Sequence, residues 1–201
     1  MSLIVNANTA STFEPVPAGT HLAICNMLVD LGTQYNEKFD KHAKKVFIGW
    51  EIPGETYTVN GEEKPHTIRQ QYTASLNEKS SLRRDLAAWR GRDFTKAELD
   101  AFDLHNIVGK PCYINVIHYQ DQKGNNKAGI KAIMALPKGT QAGELSAPPL
   151  VFDLDDATID SVELLPAWIA AIVKESDEYK AMTIKPVELH ALEDADGDLP
   201  F

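Results

Sequence analysis

The strongest constraint on the fold is a change of hydrophobic period between Val16 and Leu136. Three segments alternate apolar and polar residues, a stretch with helical spacing follows, and two more alternating segments close the region. The first strand is predicted from Val16 to about Leu31. His21, Ala23, Cys25, Met27, Val29 and Leu31 share one face, and Leu22, Ile24 and Leu28 make the other apolar too, so this strand is expected to be covered on both sides over part of its length. The second runs from Lys44 to Ile52, where Val46, Ile48, Trp50 and Ile52 alternate with Lys45, Phe47, Gly49 and Glu51. Pro53-Gly54 and Asn60-Gly61 are turn signals, which makes residues 53–64 a connecting loop with room for a small hairpin. The third strand is Thr67 to Leu76, with Ile68, Tyr72 and Ala74 opposite Arg69, Gln71 and Thr73.

Ser80 or Ser81 then caps a helix, Leu82, Leu86 and Trp89 give it one buried stripe, and Gly91 stands where a helix-ending glycine belongs. Thr95 and Glu98 form a capping box for a second helix, with Phe94 placed to staple onto Leu99. Gly109-Lys110-Pro111 opens a fourth strand, Cys112 to His118, and Lys123-Gly124-Asn125-Asn126 turns into a fifth, Lys127 to Leu136. Three strands, one helical segment and two strands is the element order of the five-stranded oligonucleotide-binding (OB) barrel, a mainly β fold with its helical insertion between strands three and four. We therefore expect a flexible arm over residues 1–14, an OB domain over 15–136 and a linker over 137–150. A helical extension over 151–185 and a disordered acidic tail over 186–201 complete the chain. Within the extension, Leu165, Trp168, Ile169, Ile172 and Val173 behind Pro166 predict an amphipathic helix. It docks on the barrel or on a second subunit, which leaves a homodimer open.

The net charge of −9 argues at first against a nucleic-acid partner, but the charge is unevenly spread. Residues 1–140 hold 17 basic and 15 acidic side chains, a balance of +2, whereas residues 141–201 hold 3 and 14, a balance of −11. Binding single strands without sequence preference requires cations along the backbone path and flat rings on which bases stack. The candidates are Lys44, Lys45, Phe47, Arg69, Tyr72, Arg83, Arg84, Arg90, Arg92, Lys110, Tyr113, Tyr119, Lys123, Lys127 and Lys131. Trp50 shares a face with Val46 and Ile48 and belongs to the core, as does Trp89. The arginines of the first helix also suit an ordinary solvated face.

The acidic tail ends in Asp198-Leu199-Pro200-Phe201 after Asp194 and Asp196. This ending resembles the terminal tip of bacterial and phage single-stranded DNA-binding proteins, which recruit replication and repair enzymes through it. The chemistry agrees: Phe201 supplies an aromatic anchor, Pro200 stiffens the approach, and the aspartates steer the segment to a basic pocket on a partner. A calcium loop starting at Asp194 fails, because Leu199 stands where glycine is required. A second likeness covers roughly residues 17–180. Tyr72-Thr73-Ala74-Ser75-Leu76, Lys79 to Leu86, Trp89-Arg90-Gly91-Arg92-Asp93-Phe94 and Gly109-Lys110-Pro111-Cys112 resemble a family of OB-fold single-stranded DNA-binding proteins from phage replication modules. The resemblance implies strand-face and loop contacts to DNA, a role in phage replication or recombination, and the cytoplasm of an infected host. The chain departs from the bacterial type in its insertion after strand three and in the helix near 165–175, so a bacterial-style tetramer is not implied.

Other classes find little support. No run of 18 apolar residues spans a bilayer, and Met1 to Val5 has no basic start as a secretory signal has. Cys25 and Cys112 sit in apolar runs and are expected to be reduced and buried. There is no phosphate-cradling glycine loop and no nucleophile elbow, so neither a cofactor nor an enzymatic activity is expected. His21 with Cys25, or His118 with Cys112, lacks the spacing of a zinc site. Asp153, Asp155, Asp156 and Asp160 could suggest a metal-dependent nuclease but read as a solvated acidic segment. The competing proposal from another class is an acidic DNA mimic or adaptor that binds a DNA-processing enzyme.

Overall fold

The computed structural model describes residues 14–59 and 61–184. Most of the expected arm and tail, including Asp194, Asp196, Asp198, Leu199, Pro200 and Phe201, lie outside the described residues. Five long strands, β1 (Gly19–Asn36), β2 (Lys41–Val59), β3 (Glu62–Thr73), β4 (Pro111–Gln120) and β5 (Asn126–Met134), pair in the order β3-β2-β1-β4-β5, every pair antiparallel. The sheet curls into an OB-like half-barrel, and the helical segment lies between β3 and β4 as the sequence predicts. That segment comprises α1 (Ser81–Arg90), α2 (Lys96–Asp100) and a 3-10 turn at Leu104–Ile107.

Two bulges, between Cys25 and Met27 and between Asp30 and Gly32, bend β1 sharply. Its first half pairs with β4, and beyond the first bulge it pairs instead, in parallel, with the short strand β6 (Leu150–Phe152). The β2–β3 ladder does not stop at Pro53-Gly54. A shift between Ile52 and Thr56 absorbs the turn signal, and pairing resumes to Val59↔Glu62. Residues 53–64 are thus the outer half of one long hairpin, because Thr56-Tyr57-Thr58-Val59 is a run of strand formers that a bulge returns to register.

The barrel is not closed by a ladder among the described residues: the edge strands β3 and β5 approach each other without pairing. Other groups fill the seam. Val16 is buried in the core, and His118 donates Nε2–H to its carbonyl at 2.7 Å. Helix α1 packs against both edges and inserts Leu82, Leu86 and Trp89 into the core, where Trp89 meets Trp50 at 5.7 Å between ring centroids. The helix ends at Gly91 in the left-handed conformation, φ 67°, whose amide donates back into the last turn. The Thr95–Glu98 capping box of α2 is formed on both sides.

A second core lies on the outer face of β1 and β2. There Val29, Leu31 and Phe47 meet Leu154, Val162, Leu165, Ile169 and Val173 from β6 onward, through α3 (Ile159–Glu163) and α4 (Ala167–Val173). This is the double covering of the first strand expected from its two apolar faces, and the amphipathic helix docks on its own barrel. Residues 177–184 are helical again, and Glu178 clamps this end by accepting from the Thr33 amide and hydroxyl, both at 2.7 Å. Residues 137–149 carry no regular structure but are pinned to β2, where the buried Glu51 carboxylate accepts from the Ser146 amide and hydroxyl. Among the described residues no helix is long and apolar enough to cross a membrane.

Candidate nucleic-acid interface

The candidate side chains separate into three groups. Two of the aromatics are core residues. Tyr72 faces the barrel interior, where its hydroxyl donates to Asp85 Oδ2 at 3.0 Å, and burial drives its pKa far upward. Phe47 lies in the second core with its ring edge-on to Trp168, centroids 5.6 Å apart. Neither presents a free face to a base. Tyr72 shares the inward face of β3 with Ile68, as its alternation predicts, and Phe47 points outward as its alternation predicts but is covered by α4.

Five cations already have carboxylate partners. Arg83 pairs with Asp93 at 3.2 Å and Arg84 with Asp85 at 2.9 Å, while Arg90 and Arg92 converge on Glu98. The hydrogen bond from Arg92, with those from the Thr95 amide and Arg90, holds the Glu98 carboxyl well below its ordinary range. Arg90 is further held against the Phe94 and Phe102 rings. Lys44 stands 3.0 Å from Asp30 Oδ2 and 3.3 Å from Asp155 Oδ2. Burial alone would lower its pKa, but those two carboxylates outweigh it and raise it. Asp153 joins Asp30 and Asp155, with one oxygen of each within 4.8 Å of the others. One of the four aspartates read as a solvated segment, Asp155, is therefore an ion-pair partner of Lys44, with Asp153 beside it. His21 and His118, weighed above as zinc ligands, donate Nε2–H to the Pro17 and Val16 carbonyls.

The remaining candidates, Lys45, Arg69, Lys110, Lys123, Lys127 and Lys131, have no carboxylate within salt-bridge distance among the described residues. Lys45 donates to Thr73 Oγ1 at 2.7 Å across the β2–β3 ladder. Lys110 precedes β4, Lys131 is the extra residue at the β4–β5 bulge, and Tyr113 sits half-buried on the outer face beside Leu22 and Met134. Arg69 and Lys127 are brought together across the unpaired seam. With Thr67, Asn125 and Asn126 they line a cleft of about 460 Å³ between β3 and the β4–β5 turn, floored by Pro15, Val16, Ile68 and Ala128. No carboxylate lines it. Lys123 belongs to the adjoining turn. Tyr119 stands directly opposite Lys127, half exposed, with its ring so close over Gly129 that a Cβ there would lie 2.9 Å from it. Cations, amide side chains and an exposed ring at one end of the barrel are the groups a nucleic-acid backbone and its bases require.

Two features escaped the sequence reading. The β1–β2 hairpin extends to Asn36 and Lys41, so Tyr35 and Phe39 stand at its tip with Lys38 over the Phe39 ring, and Phe39 is 63% exposed. The available signal was the pair of aromatics among charged residues in 35–41. Trp168 was read as an inward residue of its helix, yet its indole lies at the surface beneath the Arg69 guanidinium, 3.9 Å from the ring centroid. Compared with known proteins, the chain matches no family model and none of the curated proteins.

Proposed function

We propose that this protein binds single-stranded DNA without strong sequence preference, in DNA replication or recombination, and recruits other proteins through its acidic Asp-Leu-Pro-Phe segment. The observation that carries the reading is the carboxylate-free cleft at the β3–β5 seam, which Arg69 and Lys127 line together with Asn125 and Asn126. In a chain of net charge −9, a concave surface with two cations and no counter-charge is what an anionic polymer selects. Arg69 and Lys127 neutralise phosphates, Lys123 extends the path along the turn, and Tyr119 offers a ring to a base. The OB-like strand order places this cleft beside the β4–β5 loop that such barrels use for oligonucleotides. Arg83, Arg84, Arg90 and Arg92 are assigned to the scaffold, since using them on DNA means breaking their ion pairs.

The test is an anisotropy titration of labelled oligo-dT, repeated with duplex and at several salt concentrations. Binding to oligo-dT in preference to duplex is expected, with an affinity that falls as salt rises. Lys127→Ala should flatten the log–log salt dependence by about 0.7, the contribution of one phosphate contact on a single strand. Absence of binding at low salt overturns the reading and favours the adaptor, whose acidic surface engages a protein instead.

A further inference from the structure

We infer that Trp168 is a base-stacking platform, so that the C-terminal extension forms part of the nucleic-acid site; the inference rests on the single-stranded DNA reading above. Three observations lead to it. First, α4 has no polar residue: Ile169 and Val173 are buried, while Trp168 is 39% exposed and Leu164, in the turn before the helix, is 87% exposed. A helix facing only its own core needs no tryptophan on the open side. Second, the indole is held in place rather than loose. Phe47 meets it edge-on at 5.6 Å and Arg69 covers one side of it at 3.9 Å, so the ring is fixed with little orientational entropy left to lose, and a base stacks on the part that remains exposed. Third, Arg69 is common to two places: it stacks on Trp168 and also lines the seam cleft opposite Lys127. A strand whose phosphate is held by Arg69 in the cleft therefore has a base within reach of the indole. Arg69 joins a cation track to a stacking surface, and the extension supplies the aromatic ring that burial denies to Tyr72 and Phe47.

The three tryptophans make this testable in the full chain. Trp50 and Trp89 are 0% and 7% exposed, so a collisional quencher such as acrylamide reads Trp168. Saturating oligo-dT should change the tryptophan emission and protect it from acrylamide. Trp168→Phe should abolish both signals while keeping most of the affinity, because a ring remains. Trp168→Ala should weaken oligo-dT binding roughly 5- to 150-fold, the range of one lost stacking contact. Arg69→Ala, which leaves the indole in place, checks the result should Trp168→Ala disturb α4: it should weaken binding and expose the emission to acrylamide. If the wild-type protein binds oligo-dT by anisotropy yet emission and quenching do not change and Trp168→Ala binds equally well, the inference is overturned while the DNA reading stands. If the wild-type protein does not bind at all, both fall. If Trp168→Ala instead abolishes self-association with unchanged DNA affinity, the indole belongs to an interface between copies and the inference is also overturned.

Discussion

Gly32→Ala adds one methyl group where the C-terminal extension comes closest to the barrel. Gly32 has φ 69°, and a Cβ there would stand 2.6 Å from both Leu154 Cδ2 and Ser176 Cβ and 2.7 Å from Glu178 Oε2. Left-handed backbone costs a non-glycine residue about 1–2 kcal/mol. Overpacking a filled site costs about 1–3 kcal/mol more, and here the neighbours are a buried leucine, a buried serine and the carboxylate that clamps Thr33. The smaller freedom of the unfolded alanine chain returns up to about 1 kcal/mol, which leaves a net loss of roughly 1–5 kcal/mol, or roughly 2–20 °C in melting temperature for a chain of this size. Gly109→Ala isolates the backbone component, since Gly109 has φ 72° but no atom within 4 Å of an added Cβ. Denaturant unfolding of both variants gives the difference, expected at about 1–3 kcal/mol. Hydrogen exchange should place the extra loss in residues 150–184, because the cheapest relief is for the extension to lift from β1. Equal losses in the two variants, within about 0.5 kcal/mol, would refute the close packing on which the second core rests.

Tyr72→Phe should destabilise the protein by about 1–3 kcal/mol, because it strips Asp85 of a buried donor, yet leave oligo-dT affinity unchanged; a loss of affinity without a loss of stability would return Tyr72 to the DNA surface. The Glu98 carboxyl is held below its ordinary value, so its contribution is present above the unfolded pKa of about 4.3 and is lost as pH falls toward the folded value. The stability gap between the wild-type protein and Glu98→Gln should accordingly be constant above about pH 5 and narrow by pH 3 in urea unfolding; a gap that persists unchanged into acid contradicts the ion-pair account. Burial pushes the Cys25 thiol up to about 12 and Cys112 further still, so thiolate at pH 8 is on the order of one part in 10⁴ or less. Ellman's reagent should react with neither cysteine until denaturant is added, and prompt labelling of the native protein would show that the barrel interior opens.

The barrel was legible because its strands and first helix bury regular stripes: Val46, Ile48, Trp50 and Ile52 at period two, and Leu82, Leu86 and Trp89 at helical spacing, all reach one core. Two parts were not. Pro53-Gly54 reads as a strand end, and only the partner β3, supplying pairs out to Glu62, carries β2 past it. The strand β6 is three residues long, too short for any period, and exists because β1 beyond its first bulge, where pairing with β4 has ended, offers it an edge. At the site the difficulty was charge. Composition counts Arg83, Arg90 and Arg92 as free cations, whereas Asp93 pairs with Arg83, and Glu98, eight residues beyond Arg90, is shared by Arg90 and Arg92. The spacing of Thr95 and Glu98 predicts the capping box that forms, but a capping glutamate reached by two arginines is a tertiary fact. Arg69 and Lys127 lie 58 positions apart in sequence, and only the meeting of β3 with the β4–β5 turn makes them neighbours.

The second core also decides where a strand can run. In an OB-like barrel the outer face of the sheet and its flanking loops are the natural path for an oligonucleotide, but here β6, α3 and α4 lie over the β1–β2 part of it. Leu154, Val162, Leu165, Ile169 and Val173 are buried there, and at about 1.5–3 kcal/mol for each side chain taken out of water the covering holds on the order of 10 kcal/mol of gross transfer energy. A base that stacks contributes about 1–3 kcal/mol, so one or two bases do not lift the extension, and the strand has to use what it leaves open. What it leaves open is the β3 edge, the seam beyond it and the rim of α4 itself. Arg69 stands where those three surfaces meet, touching Trp168 on one side and the cleft on the other. The extension thus closes the middle of the sheet while leaving a border with a cation track and an exposed aromatic ring, and the proposed DNA site accordingly follows the seam rather than the face.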